Sequence, residues 1–440
     1  MASNATQALI NLTDTWFIGR LSTEALAAMS AIYWIMTCVI LVVCGVGLAV
    51  QTFVAQAEGS RRYARASAAA WNAVWASLAT VPLLVLLANL GPELLGPFGL
   101  EPEVERLALA YWEPRMYGAV LGGLAWAMMG FFTGIGTPRY TLFIVVTMTL
   151  TNIPANQWLM FELDLGMAGA AWGTNVAQLA GVGIAMGLFL SGERAKRYRS
   201  WQTWRPRSKL LRAQFAVGAP VGVMYGADVL GIALAQLMVA QATALGAAAT
   251  QVVMMLTSLA YMPAVGLASA GTTLVGQSIG AGSRDWAARL GSTTIGLCAC
   301  FMGAVAVCLL LAGAWVVPQF LTGGDAAASA AIALALSLLW PAAAYQVFDG
   351  LYFGSSAAMR GAGDTRVPAL TAMALSWFLY VPLAHTLVFA PGQGWVDGLP
   401  QAGLGATGGW LALMIYAMLL GTSMFLRWRT GRWRSITLGG

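Results

Sequence analysis

Charge is scarce in this chain: Asp, Glu, Lys and Arg make up only 9% of its 440 residues. A soluble globular domain carries about a quarter, so an ordinary water-soluble fold is excluded. Histidine is almost missing. The single one, His385, stands in an apolar stretch and reads as a packing or hydrogen-bonding residue rather than a proton relay. Five cysteines, Cys38, Cys44, Cys298, Cys300 and Cys308, all fall within apolar segments. Cys298-x-Cys300 lacks the spacing and the nearby histidine of a zinc centre, so no metal centre of that kind and no cofactor is expected. No cleavable leader is expected either, because the first segment has neither a basic start nor a small-residue cleavage site ahead of a soluble domain.

What fills the chain instead is hydrophobic residue, 59% of the total. Runs of roughly 20 apolar residues are read as spanning helices. About twelve occur, near 2–19, 26–55, 67–91, 110–134, 141–161, 167–190, 212–240, 246–277, 290–317, 328–357, 368–390 and 404–426. The expected fold is therefore an all-α integral membrane protein. The net charge of +6 comes from topology rather than from nucleic-acid binding. With both termini on the cytoplasmic side, 20 of the 23 Lys and Arg residues fall in cytoplasmic segments, as the positive-inside tendency requires. Arg20, Arg106 and Arg115 are assigned to the opposite loops, among acids such as Glu93, Glu101, Glu103 and Glu105. Anionic membrane lipids are expected to meet the basic face.

An internal repeat organises the sequence. A shift of 221 aligns Gly45 with Gly266 and the segment 54–59 with 275–280, and a shift of 227 aligns Gly134-Ile-Gly136 with Gly361-Ala-Gly363. Six spans per repeat make the halves parallel, related by an axis along the membrane normal. The chain divides into an N-terminal lobe, 1–200, ending in a basic linker, and a C-terminal lobe, 201–440, ending in a basic tail. The Gly-x-Gly segments are read as tight turns between helices, not as a nucleotide fingerprint, because no strand precedes them.

Three aspartates, Asp14, Asp228 and Asp349, lie inside the apolar segments. Each opposes membrane insertion by about 2.5 to 3.5 kcal/mol, a cost that marks an ion or substrate path. A carboxylate in low dielectric takes up a proton or binds a cation. If a driving cation and a cationic drug compete for it, each turnover exchanges one for the other. Asp349 is the first choice. Asp14 lies nearer the outer face, where Asn11, Thr13 and Thr15 offer oxygens suited to Na⁺, so Na⁺ is a candidate at Asp349 or Asp14. The alternative for each acid is a hydrogen bond between helices. Tyr225 and Tyr345 stand one turn before Asp228 and Asp349 and are placed to bond them. Asn152 and Asn156 bracket Pro154 on one helix face, where two amides line a polar cavity or join neighbouring helices.

At these residues the sequence resembles the multidrug and toxic compound extrusion (MATE) family, NorM-type branch, over essentially its whole length. Asp14-Thr-Trp-Phe-Ile-Gly19 followed by Ala25-Leu-Ala-Ala28 is similar to the family's first-helix signature. Pro220 eight residues before Asp228, Tyr345-Gln-x-x-Asp349 with Met359-Arg-Gly-x-x-Asp364, and Asn152-Ile-Pro-x-Asn156 resemble patterns of the branch. The resemblance implies a V-shaped pair of six-helix bundles in the bacterial inner membrane. Such a protein exports small organic cations or amphiphilic drugs by antiport with Na⁺ or H⁺ as a monomer. Asp349, Asp228 and Asp14 would be the coupling acids, with Asn152 and Asn156 supporting the N-lobe site. Two departures stand out. Asp228 is a methylene shorter than the usual Glu, and the repeat places the counterpart of Pro220 ahead of residue 1, so the first helix reads as truncated. Competing readings are a lipid-linked precursor flippase, which needs basic residues in the cavity where the spans offer none near their middle, a membrane-embedded enzyme, for which no catalytic motif appears, and a passive channel.

Overall fold

The computed structural model describes residues 13–96, 99–320, 326–396, 398–436 and 438. The described residues contain no β-strand. Residues 13–19 are helical, and eleven long helices follow: α1 (Thr23–Gly59), α2 (Tyr63–Asn89), α3 (Pro102–Gly134), α4 (Pro138–Gln157), α5 (Gly166–Leu190), α6 (Ser208–Ala242), α7 (Ala244–Gly280), α8 (Arg284–Gln319), α9 (Ala326–Ala362), α10 (Arg366–Val388) and α11 (Gly405–Arg429). Among the described residues, ten of these helices are long and apolar enough to cross a membrane. The exception is α4, whose Thr141, Thr149, Asn152 and Asn156 are buried inside the bundle and lower its hydropathy. With residues 13–19, the arrangement fits twelve spans in two bundles.

Local signals set the helix ends. Ser22 caps α1 by accepting the Ala25 N–H at 3.0 Å, and Thr243 caps α7 by accepting that of Gly246 at 3.0 Å, each satisfying an orphan donor of the first turn. The repeated glycines Gly136 and Gly363 have φ of 76° and 85°, a left-handed turn that glycine adopts without a Cβ penalty. Five-residue π-turns, Trp158–Glu162 after α4 and Ser376–Tyr380 within α10, occupy corresponding spans of the two halves.

Two apolar cores belong to the N-terminal half, around Ile32, Trp112 and Met116 and around Val50, Phe131 and Phe189. Two others belong to the C-terminal half. The start of α6 is shared, since Val217 joins an N-terminal core. There α6 crosses α1 through glycines: a Cβ on Gly222 would lie 2.6 Å from the Leu41 carbonyl, so small residues set the closest approach. The outer surface is apolar. Phe378 is 86% and Leu311 81% exposed, which suits contact with lipid and not with water.

One assignment is corrected. Arg115, expected in a loop, lies inside α3, thirteen residues past Pro102, and is only 9% exposed. Its acidic neighbours in sequence drew it toward the loop, while the helix continues unbroken through Pro114. The spans therefore do hold a buried base.

Candidate functional site

In the N-terminal half, Asp14 is buried where the first helix, α4 and α5 meet. Asn152 and Asn156 donate to its Oδ1 at 3.0 and 2.6 Å, and the Thr174 hydroxyl donates to Oδ2 at 3.1 Å. The i, i+4 amides of α4 thus converge on one carboxylate oxygen. Gly173 makes room for them, because a Cβ there would overlap Asn156 Oδ1. That oxygen is buried and has no protein partner. The Asp14 carboxylate and the Thr174 hydroxyl bonded to it are hard oxygens, the type that suits a cation such as Na⁺. Thr15, adjacent in sequence, is exposed; the hydroxyl that reaches Asp14 is that of Thr174, which sequence spacing did not single out. Asn11 lies outside the described residues.

Arg115 approaches the same cluster from α3. Its Nη1 donates to Asn175 Oδ1 at 3.4 Å, and Asn175 donates in turn to the Pro114 carbonyl at 2.6 Å. Arg115 makes no ion pair among the described residues, and its partner Asn175 is next in sequence to Thr174, which bonds Asp14. Gly118 accommodates the Asn175 carboxamide, which a Cβ would overlap.

In the C-terminal half, Asp228 lies on α6 and Asp349 on α9, and Tyr352, three residues past Asp349 on α9, reaches Asp228. Tyr416 donates to Asp228 Oδ1 at 2.7 Å and Tyr352 to Oδ2 at 3.5 Å, while Tyr345 donates to Asp349 Oδ2 at 3.3 Å. Tyr380, from the α10 π-turn, stacks on Tyr416 with centroids 5.0 Å apart. Among the described residues no Lys or Arg forms an ion pair with either acid. Tyr345 therefore bonds as its spacing suggests, and Tyr225 does not. The Tyr225 hydroxyl accepts from Arg360 Nη1 at 2.9 Å, and Asp228 finds its donors on α9 and α11. One turn of helical spacing allows a contact; the partner available across the bundle decided otherwise.

His385 is buried and its Nε2 accepts the Val396 N–H at 3.1 Å. Asp364, beyond the end of α9, is tied to Arg427 Nε at 3.0 Å.

The two halves meet along a seam that repeats the sequence symmetry. Gln56 Nε2 donates to the Gly361 carbonyl and Gln277 Nε2 to the Gly134 carbonyl, both at 3.0 Å. Thr52 donates to the Arg360 carbonyl at 3.0 Å and Thr273 to that of Thr133 at 3.1 Å. These donors are related by the 221-residue shift and the acceptors by the 227-residue shift. Gln51 adds bonds to Ser269 and Thr273. Helix ends at the seam are in close contact, since a Cβ on Gly59 would overlap the Gln277 carbonyl and one on Gly280 that of Gln56.

The MatE family model matches residues 1–158 and 220–386. A probable multidrug resistance protein NorM of Burkholderia pseudomallei (strain K96243) is 30% identical over 98% of this chain and 90% of that protein. Another of the same description, from Pseudomonas aeruginosa, is 30% identical over 96% of this chain and 85% of its own length. Among solved structures, the outward-facing conformation of a multidrug resistance MATE family transporter of the MOP superfamily matches with a TM-score of 0.82 at 20% identity. It covers 98% of this chain and 93% of that one. A MOP superfamily transporter from Pyrococcus furiosus matches with a TM-score of 0.82 at 20% identity, over 99% and 94%. At that identity the likeness is one of fold. Helices built to span a bilayer, a repeated seam between two bundles and a family model matched over most of its length together place this chain in the MatE family, as an integral membrane transporter and not an enzyme.

Proposed function

We propose that the protein is a secondary active multidrug exporter of the bacterial inner membrane, moving cationic and amphiphilic organic compounds outward in exchange for Na⁺ or H⁺. The observation that carries this reading is the C-terminal acid pair. Asp228 and Asp349 sit among tyrosines and have no ion-paired base among the described residues, so their negative charge is available to a cation. Aromatic rings around carboxylates suit flat organic cations. In this reading drug and coupling ion compete for Asp349 and Asp228, and Asp14, with Asn152, Asn156 and Thr174, forms a second cation site in the N-terminal half. The protein acts as a monomer, each half supplying one site, with termini and basic loops in the cytoplasm. The seam formed by Gln56 and Gln277 closes the cytoplasmic side, and its bonds break when the halves rock to the opposite state.

The test is ethidium movement in proteoliposomes under an imposed Na⁺ gradient and, separately, a pH gradient, comparing the wild type with Asp349→Asn. Movement driven by one gradient and lost in the variant supports antiport and names the ion. Equal movement without a gradient, indifferent to the substitution, would overturn the proposal in favour of a channel.

A further inference from the structure

The segment joining α5 to α6 is not a slack tether. It forms a short helix, Gly192–Tyr198, and a 3₁₀ turn, Ser200–Gln202, and it is pinned along its length to α1 and α2. Arg197 and Tyr198 both donate to Glu58, at 3.1 and 2.8 Å. Trp71 donates to the Ser200 carbonyl at 2.8 Å, Trp75 to that of Trp204 at 2.6 Å, and the Arg207 N–H to Asn72 Oδ1 at 2.9 Å.

One face of this strap forms an open pocket of about 390 Å³, lined by Leu190, Lys196, Arg199, Trp201 and Gln202 among others. Arg199 is held at φ 52°, ψ 43°, a conformation that residues with a Cβ rarely adopt. Its guanidinium has no ion pair among the described residues, whereas Lys196 shares its ammonium with the exposed Glu193 at 3.0 Å. Trp201 is 66% exposed and donates its indole N–H to the Leu190 carbonyl at 2.9 Å, so its ring stands at the end of a spanning helix. Two cations, an aromatic wall and an apolar floor coincide at the boundary of the spanning region, where tryptophans meet lipid headgroups.

We propose that this cavity binds the phosphate headgroup of one anionic membrane phospholipid of the phosphatidylglycerol type. The Arg199 and Lys196 groups hold the phosphate, and Trp201 flanks the glycerol and the start of the acyl chains. The strap is preorganised by its bonds to α1 and α2, so little ordering accompanies binding. Through Glu58 the strap is tied to the last turn of α1, two residues from the seam donor Gln56, which places the lipid where its presence favours the closed seam. The inference is independent of what the protein exports.

The experiment is native mass spectrometry of the full-length protein titrated with phosphatidylglycerol. It compares the wild type, the Lys196→Gln/Arg199→Gln pair, the charge-preserving Lys196→Arg/Arg199→Lys pair and an equal loss of charge elsewhere on the basic face, Arg61→Gln/Arg62→Gln. Removing two basic groups from an anionic-lipid site is worth about 30-fold in affinity. The tightest lipid-binding step should weaken by that factor in the Gln pair alone, and millimolar inorganic phosphate should not displace the lipid. Equal, small losses in both neutralised pairs would reduce the site to diffuse surface charge and overturn the proposal. Displacement by inorganic phosphate would reassign the cavity to a soluble anion. If the Gln pair fails to fold, the single Arg199→Gln variant decides: a loss of about fivefold that the Arg61→Gln/Arg62→Gln protein does not show supports the site, and a loss no larger than that of the Arg61→Gln/Arg62→Gln protein refutes it.

Discussion

Replacing Gln56 and Gln277 together by alanine should open the seam without touching any candidate cation site. Each carboxamide makes one bond to a backbone carbonyl of the opposite half, at 3.0 Å, and such a bond contributes a net of about 1 kcal/mol. In the variant the Gly134 and Gly361 carbonyls lose their donors in the closed state and meet water in the opened one, so about 1 kcal/mol per bond is the least by which the closed state is weakened. The pair of substitutions therefore shifts the balance between closed and open seam by about 2 kcal/mol, or roughly 30-fold. The remaining bonds of Thr52, Thr273 and Gln51 keep the halves associated. Spin labels at Arg61→Cys and Arg284→Cys, both exposed near the ends of the helices concerned, on a background with the native cysteines replaced, would report the seam as an electron–electron distance. The double variant should show a second, longer distance whose ratio to the first rises by about that factor, with each single variant near the square root of it. Gly59→Ala or Gly280→Ala should act at least as strongly, since the added Cβ would overlap a backbone carbonyl that has no rotamer to escape by. An unchanged distance distribution in the double glutamine variant would refute the reasoning that these bonds hold the closed state.

In the C-terminal half, Tyr416→Phe removes the 2.7 Å bond to Asp228; with a bond to a charged group worth about 1.5 to 3 kcal/mol, tetraphenylphosphonium should bind about 10-fold tighter or more. Unchanged or weaker binding by calorimetry would show that the hydroxyl does not stabilise a free carboxylate there. In the N-terminal half, Arg115→Gln removes a buried positive charge held by Asn175, next to the Asp14 partner Thr174, and a positive charge there opposes a second cation at Asp14. The concentration of driving ion for half-maximal transport should fall severalfold, and the gain should vanish when Asp14→Asn is added; a gain that survives Asp14→Asn would place the effect elsewhere.

Several features of the structure were legible from residue order alone because they depend on periodicity or on transfer cost. Long apolar runs need a bilayer, and the Gly-x-Gly segments read as tight turns between helices, where Gly136 and Gly363 do take a left-handed conformation. Asn152 and Asn156 share a helix face by their spacing, and the structure turns that face to Asp14. The donors that complete each cluster were not legible. Thr174, Tyr352 and Tyr416 lie 124 to 188 residues from the acids they bond, and no local pattern marks which of many hydroxyls on apolar helices will face a carboxylate. Arg115 misled for a related reason, since acids around it in sequence resemble a loop although the helix runs on through the bilayer.

By itself, then, the sequence determined that this chain lives in a membrane, repeats its plan once and carries acids where acids are costly, because hydropathy, repeat spacing and charge placement are written along one dimension. Which side chains stand together was decided only by the packing of the helices. The tyrosines around Asp228 and Asp349, the pairing of Tyr225 with Arg360, the approach of Arg115 to Asp14 and the reciprocal Gln56 and Gln277 bonds all depend on helix crossings set by close glycine contacts between distant segments, and such contacts exist only once the bundles have assembled.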